Sequence, residues 1–353
     1  MPKVNRMNQV EINEYNTFIR QSKEGQITQD TRWHAVKENW VPYYIYLKKE
    51  EKIVAAASIL VGKGPKGKKF AYCTKGPVMN MENQALFKEL VEECVAYLPK
   101  DVYVLKFDPE IPYSQTRNQQ FIDAGFYTYN RNIHYLGMHG TIQPRLNMVI
   151  DFETFEQRPT SIYDIVPSKI KNKLKKAKKD GVEVSSGLDE NFLRVFYQSY
   201  QEMSIRHGIS YRPMDYFERM VEAFQGSSLM KIYIAKRNET VLATGIAFNC
   251  GNKVWYMYAG SASGKVYNAP YAIQEAMIQW ALDSGCRRYD MGGIEQETEE
   301  DGLYTFKRNF VRQPASEYMG EIDYVMLPET YQQVMAEKFG FSVNLSSDQR
   351  VYS

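Results

Sequence analysis

The segments IYLKKEEKIVAAASILV (residues 45–61) and IYIAKRNETVLATGIAF (232–248) align without a gap. Each reads as an alternating strand, a charged turn and a second, apolar strand. The likeness continues in step. KFAYCTKGP (69–77) matches KVWYMYAGS (253–261), each a strand that reaches a glycine. LFKELVEECVAYL (86–98) matches YAIQEAMIQWALDSG (271–285), both helical, and VYVLKFDPE (102–110) matches CRRYDMGGIE (286–295), both strands running into an aspartate. Two copies rather than many mean a duplicated domain, not a solenoid. Hairpins followed by a helical crossover give a mixed α/β sheet.

The remaining composition narrows the class. A chain of 353 residues, 44% hydrophobic and 14% aromatic, is long enough for two folded domains. Its formal charge of +2 excludes a global polycation, so any nucleic-acid contact must come from local patches. The stretch MPKVNRMNQVEINEYN has no apolar core and does not read as a signal peptide. The longest apolar run, IVAAASILV (53–61), is about half of a membrane span. Cys73, Cys94, Cys250 and Cys286 stand singly, as reduced thiols of a cytoplasmic protein would. His34, His134, His139 and His207 have no ligand spacing, so neither a metal site nor a Cys/His nucleophile is expected.

Three further segments carry charge. SKIKNKLKKAKKDG (168–181) holds seven lysines in fourteen positions. Ile170, Leu174 and Ala177 fall at helical spacing, with Ser168 as N-cap and Gly181 as the stop. Such a face is either solvated or a nucleic-acid patch; the stripe has no Trp or Phe to bury in a membrane. GKGPKGKK (62–69) imitates a phosphate loop, but a strand follows it where the motif needs a helix, so it reads as a hairpin loop. EQETEEDG (295–302) reads as a solvated acidic loop.

The order of strands and helix in each half resembles the N-acyltransferase fold of the GNAT superfamily. The glycine turn that holds a CoA pyrophosphate there has no counterpart in VMNMENQA (78–85) or KVYNAPYA (265–272), which argues against a CoA thioester donor. Longer motifs are more specific: GQITQDTRWHAVKENW (25–40), TIQPRLNMVIDF (141–152), RHGISYRPMDYF (206–217), APYAIQEAMIQWA (269–281), YDMGGI (289–294) and LYTFKRNF (303–310). Over nearly the whole chain, to about residue 335, these resemble the FemABX family, and within it the FemX branch. That branch also lacks a helical arm in the second domain, and here only QGSSLM (225–230) stands where the arm would be.

The resemblance implies an α/β (α+β) fold of two tandem GNAT-like domains without the arm. The first would comprise 1–146 plus 319–353, and the second 147–318. It also implies an aminoacyltransferase that takes alanine or serine from aminoacyl-tRNA. The acceptor would be the third-position lysine amine of UDP-MurNAc-pentapeptide, with no cofactor and no metal. Position by position, Lys37, Arg212, Tyr216 and Tyr258 match the uridine diphosphate site. Tyr103 and Asp108 match the peptide channel. Phe306 and Lys307 match the place of the aminoacyl ester, where Lys307 would steady an oxyanion. Lys171, Lys175 and Lys178 become candidate contacts to the tRNA. Asp108, taken at the ordinary carboxylate pKa near 3.9, is expected to position the amine rather than keep its proton. Asp290 is expected to form a turn with Gly292 and Gly293. Ser210 and Gly302 lie beside these motifs without an assigned role, and the tail FGFSVNLSSDQRVYS carries no readable pattern. The competing readings are the same chemistry on a lipid-linked precursor, a non-catalytic tRNA-binding module, and a CoA-dependent N-acetyltransferase.

Overall fold

The two hairpins read from the sequence are built on the same turn. β1 (Val41–Lys49) and β2 (Lys52–Lys63) pair antiparallel, closing at Lys49↔Lys52. Their turn residues Glu50 and Glu51 both have positive φ, 49° and 62°, which lets the strands keep their native twist. The computed structural model describes residues 8–339, so the tail from residue 340 and the first residues of the N-terminal stretch lie outside the described residues. The chain divides into two compact units. One runs to Leu146 and resumes at Ser316, and the other spans Asn147–Ala315.

In the first unit β3 (Lys69–Cys73) follows β2 antiparallel, and the short β4 (Val78–Met79) also pairs with β2. β5 (Val102–Phe107) lies parallel to β3, so a crossover must join them. That crossover is the helix Gln84–Tyr97, which buries Leu86, Phe87, Leu90, Val91 and Cys94 against the sheet. Phe87 packs edge-on against Phe107 and Phe121, with centroids 5.4 and 5.6 Å away. The strand Glu321–Val325 inserts between β5 and β6 (Tyr127–Tyr129), antiparallel to both. The returning chain bonds within the first unit through the Glu317 carbonyl, which accepts the Tyr113 N–H, and the Tyr318 N–H, which donates to the Arg145 carbonyl, both at 2.8 Å.

The second unit repeats this order. Its sheet contains the run β7 (Leu146–Asp151), β12 (Arg288–Ile294), β11 (Lys253–Ser261), β10 (Thr240–Cys250), β9 (Met230–Arg237) and β8 (Glu183–Gly187), with β8 at one edge. The β9–β10 turn uses Asn238 and Glu239, again both at positive φ. β11 and β12 are parallel and are joined through the helix Ala269–Asp283. The fold is α/β, with two GNAT-like domains. Residues 225–229 lead directly from the helix Met214–Phe224 into β9, with no arm between them.

The lysine-rich segment forms the helix Ser168–Lys179, with Ile170, Leu174 and Ala177 buried. Its N-cap is Pro167, not Ser168. The proline holds extended backbone at φ −69°, ψ 163°, so Ser168 is already the first helical residue. Gly181 at φ +78° closes the helix. The four cysteines are buried, and no disulfide joins them. No helix among the described residues is long and apolar enough to cross a membrane.

Gly320 and Gly181 share φ +78°, yet their surroundings differ. A Cβ on Gly320 would lie 2.2 Å from the Tyr129 carbonyl oxygen, whereas one on Gly181 meets nothing within 4 Å. Gly181→Ala should therefore cost about 1 kcal/mol, and Gly320→Ala about 2–4 kcal/mol. Urea unfolding of the two variants checks the difference; equal losses would mean that the inserted strand yields at Gly320.

Candidate active site

Asp108 follows the last residue of β5, a strand buried along its whole length, and Pro109 stops the ladder there. The parallel register sets Cys73 beside Phe107, which brings the end of β3 to the carboxylate. The Tyr72 hydroxyl and the Lys75 backbone N–H both donate to Asp108. The Lys75 ammonium forms a buried ion pair with Glu110. Asp108 itself is 6% exposed. Burial pushes its carboxyl up to about 7, helped by Glu321 and opposed by the Tyr72 bond and the charge and backbone of Lys75. The expectation of an ordinary carboxylate is corrected: near pH 7 this group both keeps and gives up a proton.

An aromatic row leads away from Asp108. Tyr72 stacks on Phe70 at 5.9 Å, and Phe70 meets Tyr103 at 6.3 Å and Trp40 at 5.9 Å. Lys37 ends the short helix Trp33–Val36, and its carbonyl accepts the Trp40 N–H at 3.0 Å. Lys37, Tyr103 and Asp108 are thus connected through residues that the sequence reading missed. The available signal was the i, i+2 pair Phe70 and Tyr72, which must face the same side of a strand. The glycines of the false phosphate loop make room for this row. A Cβ on Gly62 would lie 2.8 Å from the Trp40 ring, and one on Gly64 would lie 3.0 Å from the Tyr103 ring. Tyr103 is buried in a cluster with Tyr127, Tyr129 and Tyr331. It stands five positions along the strand from Asp108, roughly 16 Å at strand rise.

In the second unit Lys307 ends the helix Gly302–Lys307 and is 6% exposed. Its ammonium donates to the Gly293 carbonyl at 2.6 Å. Burial pushes it down to about 8, against the raising effect of Asp290 and Asp301. Asp290 does accept the Gly292 N–H, at 2.8 Å, as a turn-former would. It is also buried inside β12 and paired with Lys253 at 3.2 Å, so its role is wider than a turn.

Phe306 packs against Tyr271 and Phe310, each with centroids 5.4 Å away. Arg212, Tyr216 and Tyr258 come together. The tyrosine hydroxyls are 3.1 Å apart, and the exposed Arg212 guanidinium lies 5.5 Å from the Tyr216 ring centroid. Burial raises the pKa of both tyrosines, so their hydroxyls stay protonated as donors. On the lysine helix, Lys175 is exposed and Lys171 half-buried, while the Lys178 ammonium lies 2.8 Å from Glu275. Among the described residues no cluster of His, Cys, Asp and Glu has the geometry to hold a metal.

The FemAB family profile matches residues 10–239 and 228–338. The chain belongs to the FemAB family. It is 48% identical over 338 residues to the UDP-N-acetylmuramoylpentapeptide-lysine N(6)-alanyltransferase of Weissella viridescens, covering 96% of this chain and 100% of the relative. The solved structure of FemX superposes with a TM-score of 0.80 at 19% identity, over 95% of this chain and 100% of that one. A tandem GNAT protein from the clavulanic acid biosynthesis pathway gives 0.50 at 10% identity, over 92% and 97%. This FemAB-family chain is a transferase. Its crossover helices close their own N-termini: the Asn83 side chain takes the Leu86 N–H, and Pro270 removes an N–H from the first turn after Asn268. Neither is the open row of N–H donors that cradles a pyrophosphate.

The Asp108 carboxyl generates a stability test. Its folded pKa lies above the unfolded value near 3.9, so the folded state binds the proton more tightly. Stability therefore falls as pH rises from about 4 to about 7. Between pH 5 and pH 8 the natural protein should lose on the order of 2–3 kcal/mol more than Asp108→Asn. Denaturant unfolding at both pH values measures it; parallel losses would mean that Asp108 titrates normally.

Proposed function

We propose that the chain transfers an alanyl or seryl group from its tRNA ester to the third-position lysine amine of UDP-MurNAc-pentapeptide, in the cytoplasm. What carries this reading is its full-length likeness to the Weissella enzyme, whose name states the acceptor. The residues fit the chemistry. The acceptor amine has a pKa near 10.4 and arrives protonated, so it must lose a proton before its lone pair can attack the ester carbonyl. Asp108, raised to about 7, accepts that proton. A tetrahedral oxyanion forms, and the Lys307 ammonium steadies it. The acyl carbon–oxygen bond then breaks, and the ribose oxygen takes up the second proton, which the attacking nitrogen sheds as it becomes an amide. Arg212 and Lys37 offer charge to a diphosphate, and the Tyr216–Tyr258 pair offers hydroxyl donors. Mass spectrometry of UDP-MurNAc-pentapeptide incubated with the protein and charged tRNA tests the proposal directly. The mass gain distinguishes alanine from serine, and no gain with either rejects the reading.

Two further outcomes follow from the same chemistry. Single-turnover rates at saturating substrate should rise as pH passes about 7, where Asp108 loses its proton, and fall beyond about 8, where Lys307 loses its charge. Asp108→Asn should remove the acid limb and slow transfer by about 100-fold or more; an acid limb that survives in this variant belongs to another group. The lysine helix should serve the tRNA. Changing Lys171 and Lys175 to Glu should raise KM for charged tRNA and flatten its salt dependence, leaving KM for the nucleotide precursor unchanged. Equal KM values for charged tRNA in variant and parent would make the helix a solvated face.

A further inference from the structure

Lys307 sits where a lysine is poorly suited to stay charged, and its surroundings contain a device that offsets this. The registered pairing of β11 with β12 spans Lys253–Trp255 against Arg288–Asp290. Directly beyond it, Gly292 turns at φ +78°, a conformation that suits glycine. A Cβ on Gly292 would lie 3.7 Å from the Lys307 ammonium, 3.7 Å from the Tyr256 carbonyl oxygen and 3.9 Å from the Trp255 indole nitrogen. The ammonium therefore lies against the turn. One oxygen of Asp290 holds the turn by accepting the Gly292 N–H at 2.8 Å. Its other oxygen faces the Lys253 ammonium at 3.2 Å. The next carbonyl along, that of Gly293, accepts from Lys307 at 2.6 Å.

We propose that Asp290 is the positioning residue of Lys307, with Lys253 as its counterweight: the carboxylate fixes the Gly292–Gly293 turn that receives the ammonium, and its charge, partly balanced by Lys253, keeps that ammonium protonated. Among the described residues, the charges that act on Lys307 are those of Asp290 and Asp301. Asp290 stands on β12, Asp301 caps the start of the lysine's own helix, and Lys253 and Tyr256 stand on β11. Burial raises the Tyr256 phenol far above neutral pH, so it carries no charge in the working range. Asp290 and Asp301 both favour the protonated lysine, and burial opposes them. Asp301 is already engaged by the backbone N–H groups of Leu303, Tyr304 and Glu295. Asp290 is the acid whose backbone contact adjoins the carbonyl that Lys307 uses.

The inference rests on the proposed role of Lys307 for its consequence in catalysis, but not for its test. With lysine ε-carbons labelled with carbon-13, NMR titration follows the Lys307 ammonium without any turnover. Asp290→Asn keeps an acceptor for the Gly292 N–H and removes the charge, so the Lys307 midpoint should fall by about one unit. Lys253→Gln keeps a donor for Asp290 and removes the opposing charge, so the midpoint should rise. Shifts of opposite sign are what a purely structural role does not produce. If both variants leave the midpoint where it was, or move it in the same direction, the inference is overturned; Lys253→Gln decides alone, by an unmoved or lowered midpoint, should Asp290→Asn fail to fold. The alkaline limb of transfer should move with the NMR midpoint. A midpoint that shifts as stated while the limb stays fixed supports the Asp290 assignment and removes Lys307 from the proposed chemistry.

Discussion

Two parallel strands cannot be closed by a tight turn, and in both halves of this protein that constraint organises the rest. β3 must reach β5, and β11 must reach β12, by way of a crossover helix. Each crossover helix then covers one face of its sheet. In both halves the chain runs past the last registered pair of the parallel strands, and backbone groups there need other partners. Asp108 meets this need in the first half by accepting the Lys75 N–H. Asp290 meets it in the second by accepting the Gly292 N–H. The chemically interesting side chains cluster there because the backbone asks for polar partners inside an apolar sheet.

The same burial has opposite effects on acids and bases. Asp108 is driven up to about 7 and Lys307 down to about 8, and in both the largest cause is lost hydration of the charged form. The compensating contacts are incomplete in each case. Tyr72 and Lys75 only partly restore Asp108, and Asp290 and Asp301 only partly restore Lys307. Contrast Lys106, equally buried, whose ammonium contacts both Glu321 and Asp323 and is held charged beyond the ordinary lysine range. Full pairing fixes a charge as structure; partial pairing leaves it near the working pH.

Much of the fold was legible because its signals are local. Strand, turn and strand recur at matching positions, and the turns Glu50–Glu51 and Asn238–Glu239 take the same left-handed geometry despite lacking glycine. The strand Glu321–Val325 was not legible as a neighbour of β5 from its own residues, because insertion between two distant strands leaves no periodic trace. Asp108 could be singled out at a strand end, but its raised pKa could not, since Tyr72 and Glu321 reach it only through the sheet. The roles of Trp40 and Phe70 were hidden for a similar reason. Their contacts depend on Gly62 having no side chain, a fact that a sequence presents as a loop signal.

The lysine helix shows how local repulsion is managed. Seven like charges on one short segment oppose folding, and propensity and the buried stripe of Ile170, Leu174 and Ala177 must outweigh them. The structure relieves the remainder unevenly. Lys178 lies on Glu275, Lys176 is 3.6 Å from Asp180, and Lys173 donates to the Tyr271 hydroxyl at 2.7 Å with its ammonium 4.3 Å from that ring's centroid. Tyr271 and Glu275 are four residues apart on the helix Ala269–Asp283, so one face of that helix receives both lysines. Tyr271 in turn packs against Phe306, the neighbour of Lys307. The basic helix is therefore braced through the same aromatic ring that supports the helix carrying Lys307, and charge presented outward on one element is tied by packing to the group held inward on the other.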